Sequence, residues 1–359
     1  MNIVVVFGGK SVEHEISIIS AFQVIEALEI KYKVIPIYIS KDNEFYYDKK
    51  MKDVSYFKID KNKCLKKNKV EFVNKKGKGY ILHKHKKISF DMIFPIVHGK
   101  GSEDGSLLDY FRFKGFPIVG NNSLFYSLCQ DKGMTKKVLD GLEIANVEYR
   151  LIKRGDDYTK KDFIFPCIVK PNNLGSSFGI SVVNNFIQLE KAVVSCFRID
   201  SEVLVEKYLS DCKEYNISVL NNQGVIEVSK IEEVKKGEIF SYEDKYLTGN
   251  KKCGWAGQLP FKSINDNIDD DVKKEIEESA KKIYKNFNAS GVIRIDYLYK
   301  DKLYVNEINA IPGSYAYYLW EDKYDFLELL EIAIKEACRN HFLISRPNEL
   351  ISKNIIFNI

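Results

Sequence analysis

The chain has 359 residues, 45% of them hydrophobic, too large for one small core and expected to divide into two or three packed domains. Its net charge of +5 is spread over 55 basic and 50 acidic residues, a mixed surface on which the lysines crowded between residues 49 and 87 read as solvated, not as a nucleic-acid footprint. The seven cysteines are odd in number, widely spaced and free of any C-x-x-C pair, which excludes a disulfide framework and a cysteine zinc site and reads as reduced thiols.

In chain order, the run Ile3-Val4-Val5-Val6-Phe7 ends in Gly8-Gly9, the pattern of a strand buried on both faces of a parallel sheet. No basic segment precedes it and no run approaches membrane-spanning length, so neither a secretory signal nor a membrane span is expected. Ser11 stands where it would cap a following helix, in which Ile16, Ile19, Val24, Ala27 and Leu28 fall near helical spacing. Residues 34–39 are a second strand, and the β-α-β start predicts an open α/β domain with ligands near the strand C-termini. Residues from about 44 to 90 read as a lysine-rich insertion of short strands and turns, and residues 91–97 as a return to a buried strand. A boundary falls near Gly120-Asn121-Asn122. Residues 165–170, 179–183 and 203–208 read as strands of a middle domain. In the third unit, Val272, Ile276, Ala280, Ile283 and Phe287 make one helical stripe, and Phe326, Leu329, Leu330, Ala333 and Ala337 another.

Four segments carry candidate chemistry. Lys170-Pro-Asn-Asn-Leu-Gly175-Ser176-Ser177-Phe-Gly179 lies between two predicted strands. Its glycines let backbone N–H groups approach a phosphate, its hydroxyls add donors, and a lysine leaving an apolar strand calls for an anionic partner. The alternative is a flexible hairpin turn; the segment is not a Walker A loop, since no G-K-[ST] closes it and no helix is expected to follow. Val292-Ile-Arg294-Ile-Asp296 and Leu303-Tyr-Val-Asn306-Glu307-Ile308-Asn309 read as two strands joined by a tight turn. Alternation places Arg294 with Asp296 on one face and Glu307 with Asn309 on one face. A loop with an even number of residues makes these the same face, where one cation, two carboxylates and an amide oxygen converge. Such donors on rigid strands suit Mg2+ completed by phosphate and water; a solvated face of cross-strand salt bridges is the alternative. Pro312-Gly313 just beyond predicts a turn that brings backbone close to a ligand. His98-Gly-Lys-Gly-Ser-Glu103-Asp104-Gly105 is either the edge of a site at the end of a buried strand or a turn into a helix whose N-terminus welcomes its acids. Glu13-His14-Glu15 has the same two readings, and in the functional one Glu13 holds an ammonium.

Taken in order, Gly8-Gly9-Lys-Ser11-Val-Glu13-His14-Glu15-Ile-Ser17, residues 98–105, Asp131-Lys132, residues 170–179, Val205-Glu206-Lys207-Tyr208-Leu209, Tyr242-Glu-Asp-Lys245-Tyr246, Arg294-Ile-Asp296 and residues 306–309 span nearly the whole chain. The ordered set resembles the D-alanine–D-alanine ligases of the ATP-grasp superfamily. The resemblance implies an α/β, three-domain ATP-grasp architecture. An N-terminal open, Rossmann-like α/β domain for substrate would cover residues 1–121, a central lid domain residues 122–213, and a C-terminal ATP-grasp and metal-binding domain residues 214–359. It implies ATP and two Mg2+ (or Mn2+), D-alanine as the small-molecule substrate, and a cytoplasmic homodimer serving peptidoglycan precursor synthesis, with no nucleic-acid or membrane partner. It also implies roles. Glu13 would hold the amino group of the first D-alanine, in a hydrogen-bonded group with Ser176 and Tyr246, and His98 would edge the substrate site. Lys132 and Lys170 would bind ATP phosphates under a loop of Gly175, Ser176 and Ser177. Glu206, Lys207 and Leu209 would form the adenine hinge, Glu214 would hold the ribose, and Lys245 would lie in the loop that closes the site. Asp296, Glu307 and Asn309 would ligate the metal ions. Arg294, with backbone N–H near Gly313, would stabilise the tetrahedral oxyanion.

The sequence departs from the family pattern at four places. Ser102 replaces a glycine, Ala310 a threonine, and Ser314-Tyr315 a different pair. Tyr318 stands where the family has a serine that binds the second substrate's carboxylate. Activation of a carboxylate as an acyl phosphate is therefore expected, with D-alanine as acceptor or, on the strength of Tyr318, D-serine, D-lactate or another amino acid. A non-catalytic nucleotide- or nucleic-acid-binding protein is a third reading, supported only by the lysine-rich insertion.

Overall fold

The computed structural model describes residues 1–58, 67–99, 101, 103–159, 162–175, 178–234 and 268–345, with Val54, Lys58 and residues 342–345 described by backbone alone. The first apolar run forms β1 (Asn2–Gly8), followed by α1 (His14–Glu29) and β2 (Lys33–Ile39). Strand β2 lies parallel to β1 on one side, and β7 (Met92–Ile96) lies parallel to it on the other. The short β3 (Phe45–Tyr46) closes the β3-β2-β1-β7 sheet as an antiparallel edge. Alternation of side chains splits β1 between two cores: Ile3, Val5 and Phe7 pack with α1, while Val4 and Val6 face the opposite cluster. Ser11 does not cap α1. The helix begins after Glu13 without a side-chain cap, and the Ser11 hydroxyl instead donates to the His98 carbonyl and accepts the Glu13 N–H.

The insertion is an antiparallel meander of β4 (Glu71–Lys75), β5 (Lys78–His83) and β6 (Lys86–Phe90). Its lysines gather at the two hairpin turns and the strand ends beside them, and its inward face puts Phe72 and Phe90 against Phe111 and Phe116, with Phe72 and Phe111 at 4.9 Å between ring centroids. Lysine density in the meander is thus that of solvated turns. Helices α2 (Ser106–Phe113), α3 (Ser123–Gln130) and α4 (Lys132–Gly141) lead to a second sheet. That sheet is antiparallel and ordered β10-β9-β11-β8, built from β8 (Tyr149–Lys153), β9 (Cys167–Pro171), β10 (Ser181–Val183) and β11 (Glu202–Lys207). With α5 (Phe186–Cys196) it encloses a core of its own around Val169, Leu189 and Val203.

The third sheet is also antiparallel and runs β13-β12-β14-β15, from β12 (Lys213–Asn222), β13 (Val225–Val234), β14 (Ile293–Tyr299) and β15 (Leu303–Asn309). The stripe expected on α6 (Asp270–Asn286) is buried against it, through Val272, Ile276, Ala280 and Ile283, with Phe287 just past the helix end. The stripe on α7 (Phe326–Ser345) turns back to the first domain, where Leu329, Leu330 and Ala333 share one core with Ile3, Val5 and α1. The Tyr32 hydroxyl donates to Glu331 at 2.6 Å across this junction. Among the described residues no helix is long and apolar enough to cross a membrane.

Leu330 is fully enclosed at this junction, so Leu330→Ala should lower stability by about 2–5 kcal/mol, measured by chemical denaturation. A loss below about 1 kcal/mol would mean that α7 does not tie the two ends of the chain together.

Candidate active site

The site is built on the β14–β15 hairpin. Its loop is Lys300, Asp301 and Lys302, an odd count, which by strict alternation would put Glu307 and Asn309 on the core side. The structure corrects the register with a bulge: Tyr297 pairs with Val305, but Asp296 pairs with Glu307, leaving Asn306 unpaired. Val305 and Ile308 therefore both face the core, and Asp296, Glu307, Arg294 and Asn309 share the opposite face. Pairing continues across the sheet, with Asp296 opposite Asn216 and Asn216 opposite Glu232. A polar row Glu307–Asp296–Asn216–Glu232 thus crosses all four strands.

Arg294 grips Asp296 with two hydrogen bonds, Nε to Oδ1 at 2.7 Å and Nη2 to Oδ2 at 2.9 Å. Asn309 donates to the same carboxylate at 3.0 Å. Burial opposes the charge on Arg294, yet Asp296, Tyr318 and Glu232 hold its pKa above the ordinary arginine value. Burial likewise pushes the Glu307 carboxyl up, but Lys132, Lys170 and Arg294 bring it below the usual carboxylate range. Asp296 and Glu307 face each other, with Asn309 beside them. Two carboxylates and an amide fit a hard divalent cation whose remaining ligands are phosphate and water oxygens. Among the described residues no group of three or more His, Cys, Asp or Glu could hold a metal ion.

The lysines come from α4 and β9. Asp131 caps α4 by accepting the Met134 N–H at 2.8 Å, and Asn172, just after β9, clamps the same helix end through Asp131 and the Gly133 N–H. This fastening aims Lys132 at the Leu174 carbonyl (2.7 Å) and at Glu307 (3.3 Å). Lys136, one turn along the same face, contacts Glu206 at 2.8 Å, and Lys170 reaches Glu206 at 2.5 Å. Burial would raise the Glu206 carboxyl, but Lys170 and Lys136 hold it down at about 2. Burial, against the pull of Glu206, lowers the Lys136 ammonium. Lys207 leaves β11 toward solvent, with its N–H on the Glu148 carbonyl, Leu209 follows the strand, and Glu214 pairs opposite Leu298.

Glu13 approaches from the first domain. A side chain at Gly99 would begin 2.9 Å from its Oε2, and one at Gly175 would begin 3.5 Å from both oxygens. Gly99 has φ +84 and lies against Ser11, so only glycine suits that position. The phosphate-loop candidate therefore meets the first-domain carboxylate. His98 is buried with Nδ1 3.8 Å from Glu103, whose other oxygen accepts the Gly99 N–H at 2.7 Å. Burial lowers the His98 pKa, but Glu103 and Glu13 hold it above the ordinary value. Beyond β15, Gly313 opens a short helical turn in which Ser314, Tyr315 and Ala316 have φ of 50, 54 and 51. Three successive non-glycine residues in the left-handed region store strain. That turn carries Tyr318, whose hydroxyl donates to Glu232 at 2.8 Å. Ser102, Ser176, Ser177, Lys245, Tyr246 and the tail from residue 351 lie outside the described residues.

Sequence reasoning missed Lys136, Asn216 and Glu232. Lys136 was detectable as the i+4 partner of Lys132 on one helix. Asn216 and Glu232 belong to no local motif and emerge only from strand pairing.

Two family models match this chain: "D-ala D-ala ligase N-terminus" over residues 2–121 and "D-ala D-ala ligase C-terminus" over residues 138–323. The D-alanine–D-alanine ligase of Thermosipho melanesiensis is 39% identical over 329 residues, covering 89% of each chain. That of Nitratiruptor sp. is 37% identical over 349 residues, covering 96% of each. Among solved structures, the D-alanine–D-alanine ligase of Coxiella burnetii aligns with a TM-score of 0.81 at 25% identity, over 98% of this chain and 97% of that one. The D-Ala:D-Ser ligase VanG of Enterococcus faecalis aligns with a TM-score of 0.76 at 29% identity, over 94% of this chain and 98% of that one. The fold is the α/β arrangement of ATP-grasp ligases. The chain belongs to the D-alanine–D-alanine ligase family.

Glu206 supplies a pH test. Its carboxyl lies at about 2, against 4.5 for an ordinary one, so its ionisation stabilises the fold fully above the ordinary value and ceases to do so as pH falls through about 2. Glu206→Gln should cost about 3–5 kcal/mol at neutral pH by stranding buried lysines, and urea melts should show the gap to wild type narrowing as pH falls from about 4.5. A gap constant over that range would contradict the pairing.

Proposed function

We propose that this chain joins two D-alanines into D-alanyl-D-alanine with conversion of ATP to ADP and phosphate, for peptidoglycan precursor synthesis. The observation that carries this reading is the meeting of Glu13 with Gly175 beside the polar row of the third sheet. It brings an ammonium-binding carboxylate, a glycine-rich loop and a metal-type donor set into one place.

The chemistry follows from the residues. A carboxylate is a poor electrophile and is activated by attacking the γ-phosphate in line. Catalysis of that step is mainly positioning and neutralisation of spreading charge. Lys132 and Lys170 are ammoniums already aimed at the junction of the sheets. Glu13 holds the amino group of the first D-alanine so that its carboxylate points toward the phosphate. Asp296, Glu307 and Asn309 would hold two Mg2+ (or Mn2+), which would neutralise phosphate charge. The acyl phosphate is then attacked by the acceptor amine, phosphate leaves, and Arg294 with backbone N–H near Gly313 stabilises the oxyanion. Glu206, Lys207, Leu209 and Glu214 hold the nucleoside, and His98 edges the substrate. Ser176, Ser177, Lys245 and Tyr246 complete a lid that keeps water from the acyl phosphate. The domain division at residues 121 and 213, a homodimeric state and a cytoplasmic location belong to the same reading.

A second reading, with D-serine, D-lactate or another amino acid as acceptor, is favoured by Tyr318, whose hydroxyl is bound to Glu232, and by the likeness to a D-Ala:D-Ser ligase.

ADP release should require both D-alanine and a divalent cation, and mass spectrometry should find the dipeptide. Arg294→Ala should lower kcat by about 10²–10³. Absence of any stimulation by D-alanine would refute the proposal. An exclusively mixed product would shift it to the second reading.

A further inference from the structure

Lys136 has no part in the chemistry described above, yet it is 3% exposed and its ammonium is fixed by three contacts. It reaches Glu206 Oε1 at 2.8 Å, donates to the Val147 carbonyl at 3.2 Å and lies 5.3 Å from the centroid of the Tyr149 ring. The other oxygen of Glu206 takes Lys170, at 2.5 Å. Strand pairing explains this second contact. Glu206 opposes Ile168 and Leu204 opposes Lys170, so Glu206 and Lys170 are diagonal neighbours on one face of the sheet. All three side chains are buried, and two ammoniums share one carboxylate. A buried cluster with positive charge in excess calls for an anion. Lys170 is the member assigned to phosphate. If Glu206 had Lys170 as its one cation, the two charges would cancel and leave little for a phosphate to draw on.

We propose that Lys136 is a positioning residue for nucleotide binding: by holding Glu206 from the α4 side, it leaves the charge of Lys170 to the phosphates. The inference rests on the reading of Lys170 as a phosphate ligand. Lys136 itself touches neither phosphate nor nucleoside. The Val147 carbonyl and the Tyr149 ring keep it in place, while the Lys170 ammonium has three N–H donors, of which Glu206 needs one. Burial and the neighbouring Lys170 lower the pKa of the Lys136 ammonium against the pull of Glu206. A phosphate that draws on Lys170 therefore also relieves the repulsion between the two lysines.

The test measures the affinity of the full chain for ADP and for adenosine, each with Mg2+, by isothermal titration calorimetry. Wild type is compared with Lys136→Met, Lys136→Gln, Lys136→Arg, Lys170→Met, Glu206→Gln and the double variant of Lys136→Met with Glu206→Gln. Lys136→Met should weaken ADP by about tenfold or more and adenosine by less than about twofold, because only the phosphates draw on Lys170. Lys136→Arg keeps the charge and should recover most of the loss. In the Glu206→Gln background, Lys136→Met should cost less than about twofold, because no carboxylate then competes for Lys170. Thermal melts identify a variant that fails to fold, and Lys136→Gln then carries the comparison. Folded Lys136 variants that keep wild-type affinity for ADP, or weaken ADP and adenosine equally, overturn the proposal. So does an undiminished loss in the Glu206→Gln background. Wild-type ADP affinity in Lys170→Met overturns the phosphate role of Lys170 and the proposal with it. A chain that binds ADP but makes no dipeptide fails the ligase reading alone, since the affinities still decide the role of Lys136.

Discussion

The site depends on one residue of β15 staying out of the ladder. The hairpin loop of Lys300, Asp301 and Lys302 sets a register in which Asn306 would oppose Asp296, and Glu307 would face the core. The bulge at Asn306 shifts pairing by one and brings Glu307 opposite Asp296. Hydrophobic burial pins this arrangement. Leu303, Val305 and Ile308 are all buried with Ile295 and Tyr297, and pairing Asn306 into the ladder would exchange Ile308 for a carboxylate in that core. Burying an unpaired charge costs far more than one strand pairing yields. The core thus specifies the polar face as firmly as it specifies itself.

On that face the charges are assembled from distant parts of the chain. Lys132 and Lys136 ride on one helix, Lys170 on β9, Glu206 on β11, and Glu307 on β15. Buried ammoniums are expensive unless paired, and here two carboxylates serve three lysines. The same ammoniums are natural partners for phosphate oxygens. Pairing holds them aimed, so little reorganisation is needed when a nucleotide binds.

Much of this was legible in the sequence because burial writes itself as periodicity. The runs in β1 and β7, and the stripes of α6 and α7, read directly as elements. The phosphate-loop candidate and the hairpin carboxylates stood out by residue type. What escaped was pairing. The bulge was foreshadowed by the spacing of Val305 and Ile308, three apart where strict alternation requires two, yet residue type alone does not say which residue is extra. Ser11 was misread as a cap because its true partner, the His98 carbonyl, is remote in sequence. Glu232 and Asn216 look like any residues of a half-exposed strand until β12 and β13 are paired. The left-handed turn at residues 314–316 has no glycine to announce it.

The central claim, that Asn306 stays out of the ladder so that Glu307 opposes Asp296 on the metal-binding face, is tested most directly by electron paramagnetic resonance titration of Mn2+ in the presence of ADP. Wild type should bind Mn2+ with ADP, and Asn306→Ala, which keeps the residue count, should bind it equally. Deletion of Asn306 keeps Val305 opposite Tyr297 and Glu307 opposite Asp296, so a deletion variant still folded by circular dichroism should also bind, whereas Glu307→Gln should lose binding by tenfold or more, about 1.4 kcal/mol. Wild-type affinity in Glu307→Gln, or loss of binding in the folded deletion variant, would contradict the account.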